Sequence, residues 1–263
     1  MTVVFLHGVA GSRATYGWLP SSLAGHEVVR PDFRGHGAAE PTPAAYVIAD
    51  YAADAVAALR SAGPAVLVGH SLGGVAAWWA ARLVPELVLG AFLEDPPLYA
   101  GEPAEHRLNT AIPHFRHLLS SVPVWQAEGI SEQTAVERLA AEPFAPNPSL
   151  TVGEVVTEQA LAARAYALLH LDPTVLDTVI DGTLLAATDT VSPVSVPVRV
   201  LAADDALGAA FAARHEERLA ASHPAVEVVR LAGAGHSIHD ERAHRSDYLE
   251  QVEAFIAEVG RGG

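Results

Sequence analysis

Apolar positions along the chain follow two alternating rhythms. Continuous runs at Val3–Leu6, Glu27–Arg30, Ala65–Val68, Leu87–Leu93, Val198–Leu201 and Val226–Leu231 are short and rich in Val, Leu or Ile, as suits strands buried on both faces. Between them the spacing is helical. Ile48, Tyr51, Ala55, Val56 and Leu59 share one face, and so do Leu249, Val252, Phe255, Ile256 and Val259. Strand and helix in alternation predict an α/β protein with a parallel sheet covered on both sides.

From about Pro96 to Ser195 that alternation lapses. This stretch has no convincing buried run, carries helical patterns at Thr134–Ala141 and Thr157–Leu171, and is punctuated by prolines at 103, 113, 123, 143, 146, 148, 173 and 193. It reads as a helical insertion over the carboxyl ends of the strands, where open parallel sheets bind ligands. The expected division is a core of residues 1–95 and 196–263 with a lid of residues 96–195.

Composition narrows the chemistry. Cysteine is absent, which removes thiolate nucleophiles, disulfides and Cys-based metal sites. All 16 Lys+Arg residues are Arg, so Schiff-base and P-loop lysines are excluded. A net charge of −15 without a basic cluster argues against nucleic acid and anionic membrane surfaces as partners. The uncharged stretch Ala62–Ala81 is long enough to span a bilayer, but its glycines and Pro64 read as strand, tight turn and helix. No basic leader precedes the first strand, and a cytoplasmic location is expected. What remains is chemistry on Ser, His and carboxylates. His114 and His117 lack the carboxylate spacing of a metal centre, and no metal or other cofactor is expected.

Three motifs carry that chemistry. In Gly69-His70-Ser71-Leu72-Gly73 a buried-type strand runs into G-x-S-x-G and then a helix. The glycines relieve crowding at a sharp turn that projects the Ser71 hydroxyl as a nucleophile. The strand exit His7-Gly8-Val9 offers a second element. A tetrahedral intermediate needs two N–H donors on its oxyanion, and the backbones of Leu72 and Val9 are the candidates. Gly233-Ala-Gly235-His236, after the last strand, supplies His236 as the base that Ser71 requires. Trp125, Phe115 and Phe144 in the lid are candidate substrate contacts.

Together with Pro31–Gly37, these motifs resemble the α/β-hydrolase superfamily in order and spacing, over nearly the whole chain. The resemblance implies a mostly parallel sheet of about six strands, lacking the family's usual strands before the His-Gly strand. It leaves a sheet edge exposed or covered in a homodimer. It also implies a Ser-acid-His triad. Two carboxylates compete for the acid: Asp95, directly after the fourth strand, and Asp204, after the fifth, with Asp205 and Glu94 behind them. The expected activity is hydrolysis of a small, uncharged, moderately hydrophobic ester or lactone. Carbon–carbon bond hydrolysis or perhydrolysis with the same triad is the alternative, and a non-catalytic binding protein on the same frame is the alternative of another class.

Overall fold

The computed structural model describes residues 1–20, 23 and 25–262. Six parallel strands form one sheet: β1 (Thr2–Leu6), β2 (Glu27–Val29), β3 (Ala65–His70), β4 (Val88–Glu94), β5 (Val198–Ala202) and β6 (Glu227–Arg230), in the order β2-β1-β3-β4-β5-β6. Each expected run is a strand, with ends shifted by two residues at most. Period-two alternation sorts the strand side chains between two apolar layers. Val4, Leu6, Leu67, Ala91 and Val200 pack with α1 (Ile48–Ala62) and α2 (Leu72–Leu83). Val3, Phe5, Val66, Val68, Phe92 and Leu201 face the opposite way, onto Val252, Phe255 and Ile256 of the C-terminal helix, Arg245–Gly262. The segment Ala62–Ala81, apolar enough to suggest a membrane span, is instead the end of α1, then β3 and most of α2. Among the described residues no helix is long and apolar enough to cross a membrane.

Strand order reverses between β1, whose next strand pairs on one side, and β3, whose successors add on the other. Such switch points open a crevice at the carboxyl ends of the strands. Register aligns those ends: Leu6 lies beside Gly69, His70 beside Glu94, and Glu94 beside Leu201. His7, Ser71 and Asp95 therefore leave the sheet along one edge.

Between β4 and β5 the chain adds no strand to the sheet and forms the helices α3 (Pro103–His106), α4 (Ile112–Glu128), α5 (Glu132–Ala141), α6 (Val152–Val155), α7 (Glu158–Leu169) and α8 (Val175–Ile180). The helical patterns read at Thr134–Ala141 and Thr157–Leu171 correspond to α5 and α7. Pro123 does not end a helix but sits inside α4, where it removes one N–H from the ladder. This segment, the cap, rests on loops at the carboxyl edge. Asp172 N–H donates to Gly35 C=O at 2.8 Å, and Thr157 N–H donates to Asp240 C=O at 3.0 Å. After β5 a further helix, α9 (Arg214–Ser222), precedes β6, and the C-terminal helix is α10.

Candidate active site

Ser71 sits between β3 and α2 with φ 53° and ψ −117°, a backbone conformation that costs a residue with a side chain about 1–3 kcal/mol. The surroundings hold it there. Its N–H donates to Glu94 C=O at 3.0 Å, and its C=O accepts the first helical bond, from Val75 at 3.1 Å. The flanking glycines are sterically required. A Cβ on Gly69 would lie 2.3 Å from Gly73 O, and one on Gly73 only 2.1 Å from Leu6 O. The N–H groups of Leu72, Gly73 and Gly74 precede that first helical bond, so the positive end of α2 opens beside the serine.

His236 meets both partners that its chemistry demands. Its Nε2 is 3.0 Å from Ser71 Oγ, and its Nδ1 is 2.6 Å from Asp95 Oδ2. An ionised carboxylate only accepts, so Nδ1 carries the hydrogen and Nε2 turns its lone pair to the hydroxyl. Asp95 is fully buried. It is ringed by donors from the loop after β5: Ala203 N–H at 3.2 Å and Phe211 N–H at 3.1 Å to Oδ1, and Ala210 N–H at 2.7 Å to Oδ2. Three N–H donors offset the desolvation of a buried carboxylate. Asp204, the competing candidate, does not reach His236. Its Oδ2 accepts from Gly233 N–H at 2.7 Å and its Oδ1 from Ala206 N–H at 2.9 Å, which hold its carboxyl below the usual range. It braces the loop that leads to His236.

The His7–Ala10 loop is set by two neutral imidazoles. His7 Nε2 accepts from Phe33 N–H at 3.1 Å, so its Nδ1–H donates to Gly8 C=O at 2.8 Å. His36 Nε2 accepts from Ala10 N–H at 3.3 Å, and its Nδ1–H donates to Arg34 C=O at 2.9 Å. Burial pushes His7 down to about 4 and His36 to about 3, the second lowered further because the two adjacent rings would repel if both took up a proton. Gly8 runs directly against Ser71: a Cβ there would meet His70 Nδ1 at 2.8 Å and Ser71 Cβ at 3.2 Å. The backbone entering Val9 thus passes beside Ser71.

Beneath the site lies a charged network that sequence reading missed. The buried carboxylate of Glu94 accepts from His239 Nδ1–H at 2.8 Å and His239 N–H at 3.0 Å. Asp240, also buried, pairs with Arg164 of α7 at 2.8 Å. Burial alone would lower His239, but the charges of Glu94 and Asp240 prevail and raise it. His70 lies between the imidazoles of His236 and His239, 4.8 and 4.9 Å away, and donates from Nε2 to His236 C=O at 3.1 Å. Burial first, then its two histidine neighbours, keep it neutral. His70, Glu94 and His239 bring possible ligand atoms within 4.8 Å of one another. The donors are already committed, though, His239 Nδ1 to Glu94 and His70 Nε2 to a carbonyl, so the set reads as an ion pair with hydrogen bonds. The tandem Glu94-Asp95 and His236-Ser-Ile-His239-Asp240 was the available signal.

The aromatics of the insertion separate. Phe144 reaches the site edge, its ring tip 3.4 Å from where a Gly235 Cβ would stand. Trp125 is buried in the insertion, with Arg138 of α5 5.6 Å over its ring. Phe115 is half-buried beside His114, at 5.9 Å between rings. Surface depressions of about 420 and 500 Å³, around Asp32–Asp54 and between Gly35–Pro41 and Leu169–Pro173, contain none of Ser71, His236 and Asp95; the converging reactive groups, not those hollows, define the site.

Fold and site together are those of an α/β-fold hydrolase. The profile of the Alpha/beta hydrolase family matches residues 3–246, and the chain belongs to that family. A 2-(acetamidomethylene)succinate hydrolase of Mesorhizobium japonicum is 35% identical over 89 residues, which is 33% of this chain and 32% of that protein. Among solved structures, Est816, described as an N-acyl homoserine lactone degrading enzyme, aligns with TM-score 0.67 and 23% identity over 97% of this chain and 93% of its own. Epoxide hydrolase VrEH1 from Vigna radiata aligns with TM-score 0.73 and 20% identity over 98% and 91%. At such identities the structural likeness speaks for the fold alone.

Proposed function

We propose that the protein is a cofactor-independent serine hydrolase of a carboxylic ester or lactone. The observation that carries this reading is the unbroken chain Ser71 Oγ, His236, Asp95, with contacts of 3.0 and 2.6 Å, on a strained serine between two glycines. Ser71 Oγ attacks the carbonyl carbon while His236 Nε2 takes its proton, and buried Asp95 stabilises the imidazolium. The oxyanion is received by the N–H groups of Leu72 and Val9. On collapse His236 returns the proton to the leaving alkoxide oxygen, which leaves an acyl group on Ser71. A water then attacks that ester with His236 as base, releasing the acid and restoring the serine. In this reading residues 96–195 serve as the lid, and Phe144 contacts the substrate beside His236.

The relatives span several reactions. The partial match to 2-(acetamidomethylene)succinate hydrolase is the ground for a second reading, cleavage of another bond by Ser71, His236 and Asp95. The test is pre-steady-state turnover of p-nitrophenyl esters with acid quench. A burst of p-nitrophenol of about one per enzyme, with the acyl mass on the Ser71 peptide, is expected. Turnover with neither a burst nor a trapped acyl group would contradict an acyl-enzyme on Ser71, and turnover of no ester with labelling of Ser71 intact would favour another bond. Neither turnover nor adduct would favour a binding protein.

A further inference from the structure

The residue before Ser71 touches each of the elements that the chemistry must bring together. His70 closes β3 and is buried. Its ring lies between those of His236 and His239, with centroids 4.8 and 4.9 Å away. Nε2–H donates to His236 C=O at 3.1 Å. A carbonyl only accepts, so this bond fixes the tautomer of the neutral ring and leaves the lone pair on Nδ1. Nδ1 lies 2.8 Å from where a Cβ on Gly8 would stand, so the ring edge also bears on the loop that leads to Val9. One buried side chain thus meets the turn of Ser71, the loop after β1 and the backbone that carries the base.

The ring stands on a fixed footing. His239 meets it edge-on, at 70° between planes. Glu94 holds His239 from the end of β4, accepting its backbone N–H at 3.0 Å and its Nδ1–H at 2.8 Å. Glu94 C=O also accepts Ser71 N–H at 3.0 Å. The carboxyl end of β4 therefore sets the serine and the loop after β6 together, and His70 is the wedge between them. The bonds of His236 itself leave one freedom. Asp95 holds Nδ1 at 2.6 Å, but a ring hinged on that bond can swing Nε2 away from Ser71 Oγ. Contact with the ring and a grip on the backbone of residue 236 close that freedom, and His70 supplies both. It does so uncharged, so an imidazolium formed at His236 meets no like charge from this neighbour.

We infer that His70 is a positioning residue for the base: its Nε2–H bond to the His236 carbonyl and its contact with the His236 ring hold that imidazole in line with Ser71 Oγ. This rests on the hydrolase reading. The role asks for an uncharged donor at one place, the Nε2 position. A glutamine amide reaches that place, whereas an asparagine amide ends near the Nδ1 position and a phenylalanine ring fills the space with no donor. Because His70 acts through His236 and not on the substrate, its loss falls on the chemical step and leaves ground-state binding nearly unchanged.

The test measures kcat and KM for p-nitrophenyl butyrate, and the rate of fluorophosphonate labelling at Ser71, on wild type, His70→Gln, His70→Asn and His70→Phe, with folding followed by urea midpoints. His70→Asn and His70→Phe should lower kcat and the labelling rate on the order of 10- to 100-fold, with KM within about twofold of wild type. His70→Gln should recover most of that loss. If His70→Phe does not fold, the Gln and Asn variants decide, since both are smaller than imidazole and differ in where the amide stands. Equal impairment of these two, a loss carried by KM, or wild-type kcat in a folded His70→Asn overturns the inference, while wild-type turnover and labelling keep the hydrolase reading intact. A wild type that neither turns over the ester nor labels at Ser71 would overturn both.

Discussion

Asp95 and Asp204 both follow the carboxyl end of a strand, and what separates them is the company each keeps. Asp95 gathers three backbone donors and His236 Nδ1, whereas Asp204 spends its oxygens on Ala206 and Gly233. An amide at 95 would present the wrong partner to the imidazole and disturb its tautomer, so Asp95→Asn should lower kcat by about 10³- to 10⁴-fold. Asp204→Asn should cost less than about tenfold and act through the loop it braces. Steady-state kinetics on one ester checks both, and the reverse order would reassign the acid. The sequence could not choose between them. The donors that seat Asp95 come from positions 203, 210 and 211, a wrapping of one loop around another that spacing along the chain does not encode. Ser71 and His236 were legible because glycines mark their backbone demands locally.

Among the elements, the loop after β1 depends on keeping two imidazoles uncharged. In the unfolded chain they take up protons near 6.5, while in the fold His7 does so only at about 4 and His36 at about 3. The unfolded state therefore binds more protons across that window, and stability falls as pH drops below about 6.5. His7 alone should cost on the order of 3 kcal/mol by pH 4. The His239–Glu94 pair runs the other way: His239 is raised, so its contribution is complete below about 6.5 and is lost as pH rises through the folded value. Urea midpoints from pH 7.5 down to 4.5 should decline, with a shallower slope in His36→Gln; a flat profile would mean that these rings are charged or solvated. The strands were readable in the sequence as unbroken Val and Leu runs. Pro123, by contrast, suggested a boundary but is absorbed in the middle of α4, where neighbouring helices supply the packing that outweighs one missing bond.

At the scale of the molecule, residues 96–195 are held to the rest at several places, the Asp172–Gly35 bond among them. Elsewhere, α3 is tied to α9 by ion pairs: Arg218 meets Glu102 at 2.5 Å and Arg214 meets Glu105 at 2.5 Å. Arg218 also covers the Tyr99 ring at 4.1 Å. These groups are partly exposed, and solvent screening limits their worth. Arg218→Ala should cost about 1 kcal/mol, or roughly 2–4 °C in Tm for a chain of this size, with faster amide exchange in α3. An unchanged Tm would mean that this tie adds nothing to the hold of the other contacts. Length and proline punctuation made the insertion visible in the sequence, but not these ties, since each joins side chains about a hundred residues apart.

The central claim is an activated Ser71. It is tested most directly with a serine-directed fluorophosphonate and intact mass, on wild type, Ser71→Ala and Asp95→Asn. One adduct per chain on wild type, none on Ser71→Ala and slowed labelling of Asp95→Asn is the predicted result. A wild type that stays unlabelled, or an adduct that persists in Ser71→Ala, would contradict the account.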